Sequence, residues 1–187
     1  MQALQTTPTV WINQKNHGKG NAGLESITSL NSGEVFALWE KFQLSETHTY
    51  ANLIRHPEVH SLPKYPAISS PKDVTTLPNG DLIILEKDWL REKGTRLRLV
   101  LIDGNALVQY GVYKQTLLFD HTSTEYDNFE ALDACQTPRN GKNWLYVVSD
   151  DNGDWPTPRV EGRGFKRQKT LLLNFDLDKL IAKANKN

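Results

Sequence analysis

Turn dipeptides set between short apolar runs constrain this chain more than any other feature in it. Val74–Leu77, Asn79-Gly80 and Leu82–Glu86 follow one another, and then Arg96–Ile102, Asp103-Gly104 and Ala106–Tyr113 repeat the pattern. Asn-Gly and Asp-Gly accept the positive φ of tight two-residue turns, so each set predicts an antiparallel hairpin. Strands joined this tightly cannot be parallel neighbours. Thr116–Thr122, Trp144–Val148 and Thr170–Phe175 predict three further strands, with Asn140-Gly141 and Asn152-Gly153 as turn signals. The run Leu82-Ile83-Ile84-Leu85 is apolar on both faces and belongs at the centre of a sheet. On the following strand Arg96 and Arg98 share one face and Leu97, Leu99 and Leu101 the other.

Helical spacing is read in two places. Over residues 32–62, Ser32 starts a helix with Val35, Phe36, Leu38, Trp39 and Phe42 on its apolar face. Ser45 starts a second, carrying Tyr50, Leu53 and Ile54, which Pro57 ends. Over residues 177–186, Leu177, Leu180, Ile181 and Ala184 form the stripe of a C-terminal helix capped by Asp176 or Asp178. The expectation is an α+β fold: a mainly antiparallel, curved sheet of about six or seven strands with two N-terminal helices and a C-terminal helix packed on it. A partly closed barrel is the nearest competitor. Residues 1–31 read as a polar, glycine-bearing extension with one short strand at Thr9–Asn13, and residues 32–187 as a single domain, strand-rich over 73–175.

Lys+Arg and Asp+Glu balance at 22 each in 187 residues, so no global field draws the chain to nucleic acid or membrane. The single cysteine, Cys135, excludes an intrachain disulfide and any zinc site with two thiolates. No run approaches the ~18 apolar residues of a membrane span, and Met1–Val10 has neither a basic nor an apolar leader region, which reads as cytoplasmic.

The chemical motifs are weak one by one. Gly18, Gly20 and Gly23 spell a phosphate-loop spacing, but the hairpins elsewhere deny it a βαβ setting. His56, Glu58 and His60, with His48 nearby, are the most metal-like run, yet Pro57 breaks the helix that would align two imidazoles. Asp81, Glu86 and Lys87 suggest a metal-dependent nuclease, but Glu86 and Lys87 are adjacent and point to opposite faces of a strand. Asp150, Asp151 and Asp154 lack the spacing of a calcium loop. No cofactor is expected.

Charge segregation is the clearest local signal. Arg159, Arg163, Lys166, Arg167 and Lys169 lie close together with Phe165 among them and Trp155 just before, the set that phosphates and unstacked bases require. Asp120, Glu125, Asp127, Glu130 and Asp133 form an acidic tract that such a loop could equally neutralise. The leading expectation is a non-enzymatic module binding nucleic acid or another polyanion through residues 159–169. One alternative is a metal-dependent phosphoester hydrolase using His56, Glu58 and His60, or Asp81, Glu86 and Asp103. Another is a protein-interaction module using its segregated charges.

Overall fold

The computed structural model describes residues 23–40, 47–55, 58–137, 141–150 and 170–186. Among these residues, eleven strands fall into three antiparallel sheets, and within each sheet strands pair with their neighbours in sequence. The first sheet contains β1 (Leu24–Ser29), β2 (Val35–Trp39), β3 (Ala51–Arg55) and β4 (Glu58–Ser61). The second contains β5 (Ser70–Thr76), β6 (Leu82–Leu90), β7 (Gly94–Ile102) and β8 (Gln115–Ser123). The third contains β9 (Asn128–Gln136), β10 (Asn143–Asp150) and β11 (Leu172–Asp176). Two helices complete the described residues, α1 (Gly104–Tyr110) and α2 (Leu177–Ala184).

The three sheets stack face to face with the second in the middle. One core joins it to the first sheet through Phe36, Leu38, Leu53, Leu82, Ile84, Val100 and Ile102. The other joins it to the third through Ile83, Leu85, Leu97, Leu99, Phe129, Leu145 and Val147. This is why Leu82–Leu85 is apolar on both faces: all four side chains are fully buried, alternately in one core and the other. Each contributes about 1.5–3 kcal/mol by leaving water. A helix fills the gap in each core, Leu107 of α1 in the first and Leu177, Leu180, Ile181 and Ala184 of α2 in the second.

The first strand of each sheet lies beside the first strand of the next, β1 against β5 and β5 against β9. Side chains tie them. Thr28 and Thr76 hydroxyls meet at 3.0 Å across β1 and β5. Across β5 and β9, Asp73 accepts from the Leu132 N–H at 2.8 Å, and the Thr75 hydroxyl donates to Asp133 at 3.3 Å. Burial raises the Asp73 carboxyl above the usual carboxylate range, partly offset by the Leu132 and Val74 N–H groups.

The expected single curved sheet of six or seven strands, or a barrel, is therefore replaced by three separate sheets, and of the three expected helices only the C-terminal one forms, with α1 as an unexpected second. Both N-terminal helices are corrected. Val35–Trp39 is strand β2 and Ala51–Arg55 strand β3. Val-Phe-Ala-Leu-Trp is a short, continuous apolar run rich in branched and aromatic residues, the mark of a strand covered on both faces; its helical spacing was incidental. The Asn79-Gly80 hairpin forms, though its loop runs from Leu77 to Asp81, with Gly80 at φ +92°. The Asp103-Gly104 hairpin does not. Asp103 instead caps α1, its side chain accepting from the Ala106 N–H at 3.0 Å, so Ala106–Tyr110 is helix rather than strand. Gly104 serves close packing here: a Cβ at this position would sit 1.8 Å from the Gly80 carbonyl oxygen. The C-terminal helix forms as α2, capped by Asp176, which accepts from Lys179 N at 3.2 Å. The strand expected at Thr9–Asn13 lies outside the described residues.

Candidate functional site

The two faces of β6 hold two ionic assemblies. On the face toward the first sheet, Glu86 is fully buried. It accepts from the Tyr65 hydroxyl at 2.8 Å and from the Ser69 N–H at 3.1 Å, and it pairs with Arg98 on β7. Arg98 Nε reaches Asp120 on β8 at 3.2 Å, and Asp120 also holds Arg96 in a two-pronged contact at 2.8 and 2.6 Å. This ladder crosses the sheet along its own register, in which Glu86 stands opposite Arg98 and Arg98 opposite Asp120. Burial pushes the Glu86 carboxyl above its usual range against the pull of Arg98, Tyr65 and Ser69. The Arg96 hydrogen bonds hold Asp120 below its own.

The second assembly gathers residues of all three sheets near the ends at which β1, β5 and β9 begin. Lys72 on β5 pairs with Glu40, just past β2, and lies 3.7 Å from Glu130 on β9. Lys87 on β6 reaches the other Glu130 oxygen at 2.9 Å and donates to the Asn128 side chain. Glu130 thus bridges two lysines whose side chains are only 10% and 13% exposed. Ser70 donates to Glu40 at 3.3 Å and, through its N–H, to Asp88 at 3.1 Å. Glu25 on β1 joins by its field: burial, then the Glu40 charge, raise its carboxyl. For Lys72, burial works against the ammonium, but the hydrogen bond to Glu40 and the charges of Glu130, Glu40 and Glu25 outweigh it, so its pKa is raised. Here, then, are two largely buried cations and three carboxylates, one of them tuned toward protonation.

Sequence reasoning weighed Glu86 and Lys87 together, and they do point apart as expected, each into a different assembly. It did not find Glu25, Glu40, Lys72 or Asn128 as a site, and it saw Glu130 only as part of an acidic tract. No period-two signal marks it: in β9 the buried Phe129 and Leu132 lie three apart, and the register shifts at Glu130 between them. Two residues of that tract are ion-paired, Asp120 with Arg96 and Arg98 and Glu130 with Lys72 and Lys87. Asp81 and Asp103 do not join Glu86. They lie at the opposite end of β6, where Asp81 accepts from the Gly104 N–H at 3.2 Å and Asp103 caps α1. His60 lies 3.2 Å from Glu58, both well exposed, while His56 lies outside the described residues. Among the described residues no group of three or more His, Cys, Asp or Glu is placed to hold a metal ion. Trp155, Arg159, Arg163, Phe165, Lys166, Arg167 and Lys169 all lie outside the described residues, as do Asp151 and Asp154. No helix among the described residues is long and apolar enough to cross a membrane.

Antiparallel meanders stacked face to face, with their first strands adjacent, follow one another as the blades of a β-propeller do, and here the ionic cluster sits where those strands begin. The family model for phytase-like proteins, described as "Esterase-like activity of phytase", matches residues 2–153. The chain belongs to this phytase-like family. No curated protein and no solved structure matches it.

Proposed function

We propose that this chain hydrolyses an ester, and that the chemistry takes place at the cluster of Glu25, Glu40, Lys72, Lys87 and Glu130. The observation that carries the reading is the family match over residues 2–153. It bears on the hydrolase alternative of the sequence reading, though through other residues than the histidines or Asp81 and Asp103, and it lends nothing to nucleic-acid binding.

The chemistry of the cluster supports the choice of site. Hydrolysis requires a base to take a proton from water, a cationic or N–H environment for the oxyanion, and a proton for the departing alcohol. Glu25, whose carboxyl is raised by burial and by Glu40, is the carboxyl of the cluster best suited to exchanging a proton. Water oxygen bonds to the ester carbon or phosphorus while its proton passes to the carboxylate. The ester bond to the alcohol oxygen then breaks, and that oxygen takes the proton back. The Lys72 and Lys87 ammonium groups stabilise the negative charge that develops between these steps. In the resting protein Glu40 and Glu130 hold both lysines in place.

The test is hydrolysis of p-nitrophenyl acetate and p-nitrophenyl phosphate by the full chain, with Lys72→Met and Glu25→Gln beside it. Loss of the lysine is expected to lower kcat by about 100-fold, the scale of removing one oxyanion-stabilising group. Glu25→Gln is expected to remove the limb of the pH–rate profile that reports the base. Rates unchanged in both variants would place the chemistry elsewhere, and no hydrolysis of either ester by the wild type would overturn the reading.

A further inference from the structure

A second site lies at the other end of β5. Leu77, Pro78 and Asn79 of the β5–β6 loop, Ala134, Cys135 and Gln136 of β9, Asn143 of β10 and Leu177, Asp178 and Ile181 of α2 enclose a cavity of about 280 Å³. Leu77 follows Lys72 by five residues along a strand, about 16 Å away, so this cavity is no part of the ionic cluster. Its floor is apolar: Leu77 and Leu177 are buried, and Ile181 and Ala134 pack on the same core. The volume suits a small organic molecule below drug size.

The rim decides which kind. Its side-chain amides are turned toward neighbouring protein groups. Gln136 Nε2 donates to the Gly141 carbonyl at 3.1 Å and to Asn143 Oδ1 at 3.4 Å. Asn143 Nδ2 donates to Asp178 Oδ1 at 2.9 Å, and Asn79 Nδ2 to Asp81 at 2.8 Å. The Asp178 carboxylate and the Gln136 carbonyl supply acceptors at the rim, and Asp178 its formal charge. Asp178 is the one ionisable group of the lining besides the Cys135 thiol, and no Lys or Arg is among these residues.

We propose that this cavity binds a small, flat organic cation bearing N–H donors, with its apolar body on Leu77, Leu177 and Ile181 and its charged end on Asp178. The site is separate from the lysine-bearing cluster and independent of the ester chemistry assigned there. Recognition rests on an apolar floor and a single carboxylate in a lining that holds no Lys or Arg.

The chain's single cysteine is exposed in this wall, so thiol labelling of the intact protein reports on the cavity alone. The probe is benzamidinium, with benzoate as its near-isosteric anion. Benzamidinium is expected to slow reaction of Cys135 with N-ethylmaleimide saturably, by about threefold or more, as an occupant that restricts access to the thiolate would. Benzoate is expected to leave the rate unchanged. Asp178→Asn, at an exposed position, should abolish the difference between the two, and Ile181→Trp should fill the space and abolish protection. Equal protection by both probes, no protection in the wild type, or full protection surviving in Asp178→Asn would overturn the proposal. Ester hydrolysis followed in the same samples should be unaffected by the Asp178 change, which separates a failure here from a failure of the hydrolase reading.

Discussion

Glu86 and Lys87 are neighbours in the chain and members of two assemblies built on different principles. The Glu86 ladder is closed: carboxylate, guanidinium, carboxylate, guanidinium in one row, sealed by Tyr65 and Ser69, with Glu86 and Arg98 buried. The Lys87 cluster is open and unbalanced. Three glutamates face two lysines, the partners come from three sheets, and Glu130 keeps 30% of its side-chain surface. Charges that match and leave no acceptor idle rigidify a sheet, whereas charges that do not match and still meet water can exchange protons with a ligand. The difference separates a structural network from a reactive one although both sit on one strand.

Breaking the closed ladder gives the largest expected effect. Arg98→Met leaves the Glu86 carboxylate buried beside Tyr65 and should destabilise the protein by about 3–5 kcal/mol, read as a loss in denaturant midpoint at unchanged slope. Replacing Glu86 and Arg98 together by Leu and Met should recover most of that loss, because no uncompensated charge then remains. A single change at Arg98 that costs less than a surface pair would show the ladder to be solvated. Tyr65→Phe is the intermediate case. It removes the hydroxyl that donates to Glu86 at 2.8 Å while keeping the ring's 5.4 Å edge contact with Tyr113, and should cost about 1–3 kcal/mol. Lys72→Met, by contrast, should cost far less in stability than in kcat, and a fall in stability comparable to that of Arg98→Met would erase the distinction between the two assemblies.

The sequence made the closed ladder more legible than the open cluster. Arg96 and Arg98 alternate with Leu97, Leu99 and Leu101, so their shared face was readable from period two, as was the central place of Leu82–Leu85. What could not be read was that the apolar faces of β6 meet two different sheets, since the stacking depends on contacts between segments far apart in sequence. The same holds for the cluster: Glu40, Lys72 and Glu130 come together only because β1, β5 and β9 lie side by side, and no local pattern announces that. The misread elements fail for local reasons. Val35–Trp39 is too short and too continuously apolar for its period to discriminate, and Asp103-Gly104 satisfies a hairpin turn and a helix cap equally well until Ala106 N is seen to donate to Asp103.

The smallest effect separates the two carboxylates within the ladder by the sign of their response to acid. The Asp120 carboxyl, held down first by the hydrogen bonds from Arg96, titrates lower in the folded chain than in the unfolded one, where an aspartate has a pKa of about 3.9. Its stabilisation is therefore complete above about pH 5 and is lost as pH falls through the folded value. The Glu86 carboxyl, raised by burial, titrates higher in the folded chain than the about 4.3 of an unfolded glutamate. As pH falls from neutrality, the folded state takes up that proton first, so this group adds stability until the unfolded value is passed. Melting temperature followed from pH 7 to pH 3 should accordingly lose its lower, falling limb in Asp120→Asn and its shallow upper rise in Glu86→Gln. The two variants should thus differ from the wild type in opposite parts of the curve. Coincident curves in all three proteins would mean that the ladder is screened by solvent and that the boundary between the closed and open assemblies lies elsewhere on β6.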